Sequence, residues 1–152
     1  MSMKARTDMK ITAVTTADYP RLLSVWESSV KATHHFLAPD DFMFYRSRMY
    51  SYFNNVTIHA CMTDTGRIAG FIGTAGDSVE MLFVDAAYRG MGIGRQLITY
   101  AIDTLHMSRL DVNEQNTQAV DFYRHVGFRV AGRSPLDGEG KPYPILHLVY
   151  TA

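Results

Sequence analysis

The sequence predicts an α/β (α+β) fold in which helices flank a mixed, mostly antiparallel central sheet. Three observations point there. Apolar side chains recur at helical spacing in separate stretches of the chain. Runs rich in β-formers between residues 56 and 84 are divided by Asp64-Thr65-Gly66 and Ala75-Gly76-Asp77, turn sequences that suit antiparallel hairpins. The second half then alternates helix-like and strand-like segments, with no repeat, low-complexity tract or long linker. The resulting order is β-α-α-β-β-β-α-β-α-β-β, and residues 1–152 are expected to form a single domain.

Each element follows from its residues. Ile11 and Ala13 mark a first strand, and Thr15-Thr16-Ala17-Asp18 reads as a helix start with Pro20 tolerated in the first turn. That helix runs towards residue 33, with Leu22, Val25, Trp26, Ser29 and Val30 on one core-facing side and Glu27, Ser28 and Lys31 turned outwards. A second helix begins near Asp40 and carries Phe42, Met43, Phe44, Tyr45, Met49, Tyr50, Tyr52 and Phe53, an aromatic set expected to be core or dimer surface, with the wall of a substrate groove as the lesser alternative. Strands are expected at Val56 to Met62, Arg67 to Thr74 and Ser78 to Val84. A glycine-rich loop leads into a helix from Ile93 to Leu105. A short strand at Arg109 to Val112 and a helix from about Asn116 to Val126, stopped by Gly127, come next. The last strands are Phe128 to Ala131 and Ile145 to Tyr150.

Composition narrows the class of partner. The chain has 152 residues, 47% hydrophobic and 20% charged, with 15 basic and 15 acidic side chains. A formal charge of zero argues against broad attraction to nucleic acid or to an anionic membrane, so the partner is expected to be small or locally recognised. The single cysteine, Cys61, cannot form an internal disulfide, and Met1-Ser2-Met3-Lys4-Ala5-Arg6 leads into no apolar signal core. A cytoplasmic location is expected. His59 stands two residues from Cys61, but nothing nearby completes a thiol-hydrolase arrangement. Neither His34-His35 nor His59-x-Cys61 has the paired spacing of a zinc site, so no metal is expected.

Chemistry concentrates first in Arg89-Gly90-Met91-Gly92-Ile93-Gly94-Arg95-Gln96, between the strand-like Met81-Leu82-Phe83-Val84 and the helix beginning at Ile93. Alternating glycines let the backbone approach a ligand closely, and the following helix N-terminus aims unpaired N–H groups and the positive end of its dipole at the same place. An anion, a phosphate in particular, suits that geometry. The mononucleotide loop would end in Gly-Lys-Ser/Thr, whereas this one ends Gly94-Arg95-Gln96. The dinucleotide loop needs a glycine where Arg95 or Leu97 stands. Arg89-x-x-Gly92-x-Gly94 instead resembles the pyrophosphate loop of the GNAT (GCN5-related) N-acetyltransferases. That resemblance implies the GNAT acyl-CoA N-acyltransferase fold, acetyl-CoA as cofactor, and contacts to it from Arg89, Gly90, Met91, Gly92, Ile93, Gly94 and Arg95.

The resemblance extends to Asp111-Val112-Asn113-Glu114-Gln115-Asn116-Thr117-Gln118-Ala119-Val120-Asp121-Phe122-Tyr123, followed by Gly127-Phe128. Together the two motifs span about residues 80 to 130. By that likeness Asn113, Asn116, Ala119 and Phe122 lie along the pantetheine arm, and Tyr123 matches the tyrosine placed beside the leaving thiolate as general acid. Ala119, Phe122, Tyr123 and Val126 would equally form an apolar helical face, and the asparagines would equally serve as turn or cap residues. Acetyl transfer from a thioester to an amine needs a neutral amine, a stabilised oxyanion and a departing thiolate, and no protein nucleophile. In relatives the strand before the glycine loop is splayed open. Leu82, Phe83 and Val84 match it, with the Leu82 N–H as oxyanion donor.

The acceptor side is less determined by sequence. Glu80 occupies the region where many GNAT enzymes place a base or a carboxylate that holds water, and would equally be an ordinary solvent-facing strand carboxylate. His34, His35 and Phe36 stand in the loop between the first helices, which in relatives lines the acceptor site, and either histidine could act as base near neutral pH or be simply a loop or capping residue. Asp40 and Asp41 would attract a cationic amine or merely begin a helix. In relatives the loop between the last two strands helps shape the acceptor pocket, which makes Tyr143 and Arg133 candidates for substrate contacts unless the loop is a simple connection. The resemblance to small bacterial GNAT proteins implies a protein lysine as acceptor, in a chain that is a monomer or homodimer. A small-molecule amine (polyamine, amino acid or antibiotic-like) and a non-catalytic acyl-CoA sensor are the alternatives.

Overall fold

The computed structural model describes residues 9–151, so the expectation for Met1 to Arg6 lies outside the described residues. Strand β1 is Lys10–Ala13, and helices α1, Tyr19–Thr33, and α2, Pro39–Asn54, follow it. Strands β2, Thr57–Met62, β3, Ile68–Ala75, and β4, Ser78–Val84, form two antiparallel hairpins. Helix α3, Ile93–Asp103, strand β5, Arg109–Asn113, and helix α4, Thr117–Val126, alternate before β6, Phe128–Ser134, and β7, Ile145–Tyr150. The seven strands are ordered β1-β2-β3-β4-β5-β7-β6. The β4–β5 pair is parallel and the others are antiparallel.

The sheet carries apolar layers on both faces. On one, Ile93, Leu97, Ile98 and Ala101 of α3 and Val120 and Tyr123 of α4 pack with Ile72, Leu110 and Leu148. On the other, α1 buries Leu22, Val25, Trp26 and Val30 against Phe71 and Ile58, together with Met49 and Phe53 of α2. The expected apolar side of α1 is therefore buried residue for residue, Ser29 included. Helix α2 divides between the expected alternatives. Only Met49 and Phe53 are buried, while Met43 and Tyr50 are exposed. Its remaining aromatics serve a cavity wall, described below.

Two boundaries also differ. The third helix ends at Asp103, where the Leu105 N–H turns back to the Tyr100 carbonyl (3.2 Å). Strand β6 continues to Ser134, which still pairs with Ile145 of β7, and as the sheet edge its mostly exposed side chains give no alternating apolar signal.

One irregularity positions the site. Gly73 pairs with Met81 and Thr74 with Val79, so Glu80 is an extra residue bulged out of β4. Strand β4 pairs with β5 only through Ser78–Arg109 and Val79–Leu110. Past that point the parallel strands diverge, and the sheet opens along Leu82 to Val84. The Asp85 N–H donates to the Ala69 carbonyl at 2.9 Å, in register with the β3–β4 ladder. Alternation along an antiparallel ladder then turns the Phe83 and Met81 N–H groups towards β3. The Leu82 and Val84 N–H groups face the gap.

Candidate active site

Two cavities flank the open end of β4. One, about 390 Å³, is lined by Leu82 to Val84, the glycine loop, and Asn116, Gln118, Ala119, Phe122 and Tyr123 of the α4 region. The other, about 460 Å³, is walled by α1, α2, Glu80, Met81 and Phe83 of β4, and Asp137, Tyr143 and Ile145. His34 and Phe83 line both. A molecule filling the first cavity and one filling the second would meet there.

The glycine loop is shaped for an anion. Gly90 and Gly92 adopt φ of 77° and 78°, the left-handed region that L side chains avoid. No protein atom lies within 4 Å of where a Cβ would stand on either. Gly92 is the residue on which α3 begins, so the first-turn N–H groups of that helix face the cleft. At Gly94 a Cβ would sit 3.8 Å from Phe122 and 3.9 Å from Val84, between the two walls of the cleft. Arg89 is exposed on the rim and donates to the Gln118 amide oxygen at 3.1 Å. These features fit the phosphates and slender arm of a coenzyme A thioester.

The turn joining β4 to this loop is held by a residue that sequence reading passed over. The Asp85 carboxylate accepts from Arg21 Nη2 (2.7 Å), Ser28 Oγ (3.1 Å) and the Ala87 N–H (3.0 Å). Ser28 in turn accepts from the Ala86 N–H at 3.0 Å. Burial would push this carboxyl up, but the hydrogen bonds from Ala87, Arg21 and Ser28 outweigh it and hold it below the usual carboxylate range. Asp85 thus ties the start of the glycine loop to α1.

Tyr123 is buried, and burial raises its phenol above the ordinary tyrosine value, so it stays protonated. Asn116 both lines the cleft and caps α4, its side-chain oxygen accepting the Ala119 N–H at 3.3 Å. The two sequence readings of Asn116 therefore coexist. Asn113 belongs elsewhere. It pairs with Ile145 at the end of β5 and lines the larger cavity rather than the cleft. Met91, also expected on the cofactor, packs half-buried against the core beneath the loop.

The larger cavity has aromatic walls, Trp26, Phe36, Tyr45, Tyr52, Phe83 and Tyr143. Glu80 and Asp137 are its carboxylates, and no lysine or arginine is among its described lining residues. Such a lining suits a cationic group on an aliphatic stem. Glu80 is exposed on its bulge at the cavity margin, and its carboxyl is raised by partial loss of solvent there, with a further push from the nearby Asp111 charge. The cavity roof is fastened to α2 by phenols. Tyr45 donates to Asp137, Tyr52 to Glu139 (2.7 Å) and Tyr143 to Asp41, which also pairs with Lys141 at 3.0 Å. Asp41 is therefore already engaged, and Asp40 is exposed.

The histidine pair separates. His34 lines both cavities and is lowered to about 4 by burial first and by the neighbouring His35 second. His35 is exposed and lies outside both. Arg133 is also corrected: it grips Glu114 in a two-point ion pair (2.6 and 3.0 Å) and lines neither cavity. Cys61 is fully buried between Met9 and Gln96, and burial raises its thiol, so it offers no nucleophile. Among the described residues no group of three or more His, Cys, Asp or Glu side chains could hold a metal, and no helix is long and apolar enough to cross a membrane.

Comparison with known proteins gives a consistent result. Residues 28–141 match the family described as Acetyltransferase (GNAT) domain. The chain is 38% identical over 130 residues to peptidyl-lysine N-acetyltransferase YjaB of Salmonella typhimurium, covering 86% of this chain and 90% of that one. The solution structure of apo-form YjaB from Escherichia coli superposes with a TM-score of 0.88 at 35% identity, covering 95% of this chain and 98% of the other. PaiA N-acetyltransferase from Thermoplasma acidophilum, whose crystal structure is a complex with coenzyme A, shares the fold at a TM-score of 0.64 and 21% identity. That match covers 93% of this chain and 99% of PaiA.

Proposed function

The chain belongs to the GNAT acetyltransferase family, and from that premise we propose that residues 1–152 form one such domain, which acetylates a protein lysine side chain from acetyl-CoA. The observation that carries this reading is the meeting of the glycine-loop cleft and the acidic, aromatic cavity at Phe83 and His34. Bound acetyl-CoA supplies an acyl carbon activated as a thioester. The N–H groups from Gly90 to Arg95 would hold its pyrophosphate, and Asn116, Ala119 and Phe122 would flank its arm. The Leu82 N–H, freed by the splay, donates to the carbonyl oxygen as charge builds on it. Tyr123 donates a proton to the sulfur as it leaves. Glu80, in the acceptor cavity, takes a proton from the incoming ammonium. Holding the two substrates in adjoining cavities supplies much of the rate by proximity.

Calorimetric titration with acetyl-CoA and with CoA, followed by thiol release with lysine peptides, polyamines and amino acids, tests the reading. Binding with thiol release confined to lysine peptides is expected. Release with polyamines alone would move the acceptor to a small molecule, and binding without release would make the protein a sensor.

Glu80 gives a pH prediction. A base must be ionised, so activity rises as pH climbs through its pKa, and the raised value places this acid limb above the ordinary glutamate value of about 4.3. Glu80→Gln is expected to lower kcat by about 10²-fold or more and to abolish that limb in a kcat–pH profile. A profile with the limb intact would remove Glu80 from the role.

A further inference from the structure

We propose that His34 Nε2 is the atom that accepts the second proton lost by the attacking nitrogen, and that Thr33 and Ser29 set the imidazole tautomer that makes this possible. The inference rests on the acetyl-transfer reading above. The Thr33 hydroxyl donates its one proton to the Ser29 carbonyl at 2.7 Å, the backward bond typical of threonine in a last helical turn. The same oxygen lies 2.7 Å from His34 Nδ1. With its proton committed, Thr33 Oγ1 can only accept, so Nδ1 must carry the hydrogen. The other ring nitrogen, Nε2, is then left with its lone pair, and it has no hydrogen-bond partner among the described residues. The Phe36 ring, its centroid 5.2 Å away, packs beside the imidazole and restrains its plane.

Position makes this lone pair useful. His34 lines the acceptor cavity and the cofactor cleft alike, and Glu80 lines only the first. An ammonium acceptor sheds two protons on its way to an amide. The first leaves before attack, to Glu80, which frees the nitrogen lone pair. That pair forms the C–N bond, and the C–S bond breaks with its electrons passing to sulfur, which takes a proton from Tyr123. The nitrogen then sheds its second proton to His34 Nε2, and the imidazolium returns it to solvent. Solvent takes up the Glu80 proton and reprotonates Tyr123. The sum is ammonium plus thioester giving amide, thiol and one free proton. A neutral imidazole is adequate, because an N–H on positively charged nitrogen bonded to an acyl carbon is strongly acidic. Burial also keeps the ring uncharged at neutral pH, so it does not repel a cationic acceptor.

The test combines nitrogen-15 NMR of labelled histidine with kinetics on a lysine-bearing peptide. At pH 7, His34 is expected as the Nδ1–H tautomer, and its Nε2 resonance should shift on adding n-butylamine to the CoA-bound protein. His34→Gln is expected to lower kcat by about 10²–10³-fold, as loss of one general base does. Thr33→Val should mix the tautomers and lower kcat in step, and Thr33→Ser should restore both. A His34 found as the Nε2–H tautomer, a resonance indifferent to butylamine, or full kcat in His34→Gln would each overturn the assignment. A parent protein that releases no thiol with any amine would overturn the acetyl-transfer reading itself. One that turns over with the wrong tautomer overturns the His34 role alone.

Discussion

Replacing Tyr123 by Phe is expected to lower kcat by about 10²–10⁴-fold while leaving the affinity for acetyl-CoA and the thermal stability close to those of the parent. The substitution removes one oxygen and keeps the ring. That ring meets Phe122 edge-on at a centroid distance of 5.2 Å and Phe128 at 6.0 Å, contacts phenylalanine reproduces. The hydroxyl has no hydrogen-bond partner among the described residues, so the fold loses none. Burial pushes the phenol pKa up, which keeps the proton available at every physiological pH. The departing sulfur would sit in the same cleft, where desolvation raises thiolate basicity as well and so favours its protonation. Steady-state thiol release and calorimetry on the same preparations check the split. Unaltered kcat would make Tyr123 a packing residue; lost affinity would assign it to the pantetheine wall.

How far sequence reaches into this site depends on how local each feature is. The geometry of the glycine loop was legible because its glycines and its helix start lie within a few consecutive residues. The α4 face was legible through spacing, and Asn116 through its capping position. His34 and His35 could not be told apart. They are adjacent residues past the end of α1, and which of them turns inward is decided by how that helix closes, with the His34 N–H on the Val30 carbonyl at 2.8 Å. Asn113 was assigned to the cofactor by its motif, yet its strand pairing with Ile145 carries it to the larger cavity. The aromatic content of α2 allowed a groove but could not choose it over core or subunit surface, since Tyr45 finds Asp137 92 residues away and Tyr52 finds Glu139 at a separation of 87. Asp85 was invisible for the same reason: its partner Arg21 is 64 residues distant.

Gly92→Val is expected to weaken acetyl-CoA and CoA binding by more than about tenfold, a loss of about 1.4 kcal/mol or more. Two effects act together. At φ 78° and ψ 13°, Gly92 holds a conformation that costs an L residue about 1–2 kcal/mol, and a β-branched side chain tolerates it least. Nothing in the protein lies within 4 Å of the new Cβ, so the side chain clashes with no wall. It stands in the open cleft, over the helix start whose N–H groups would meet the pyrophosphate. Gly66→Val separates the two effects. Gly66 has φ 82°, equally open surroundings, and a place in the β2–β3 turn away from both cavities. Strain alone would make the two variants alike in thermal stability, and occupancy of the cleft would make only Gly92→Val fail in calorimetric titration. If Gly92→Val binds CoA as the parent does, the phosphate site is not at this loop, and the cleft between Val84 and Phe122 must serve some other ligand.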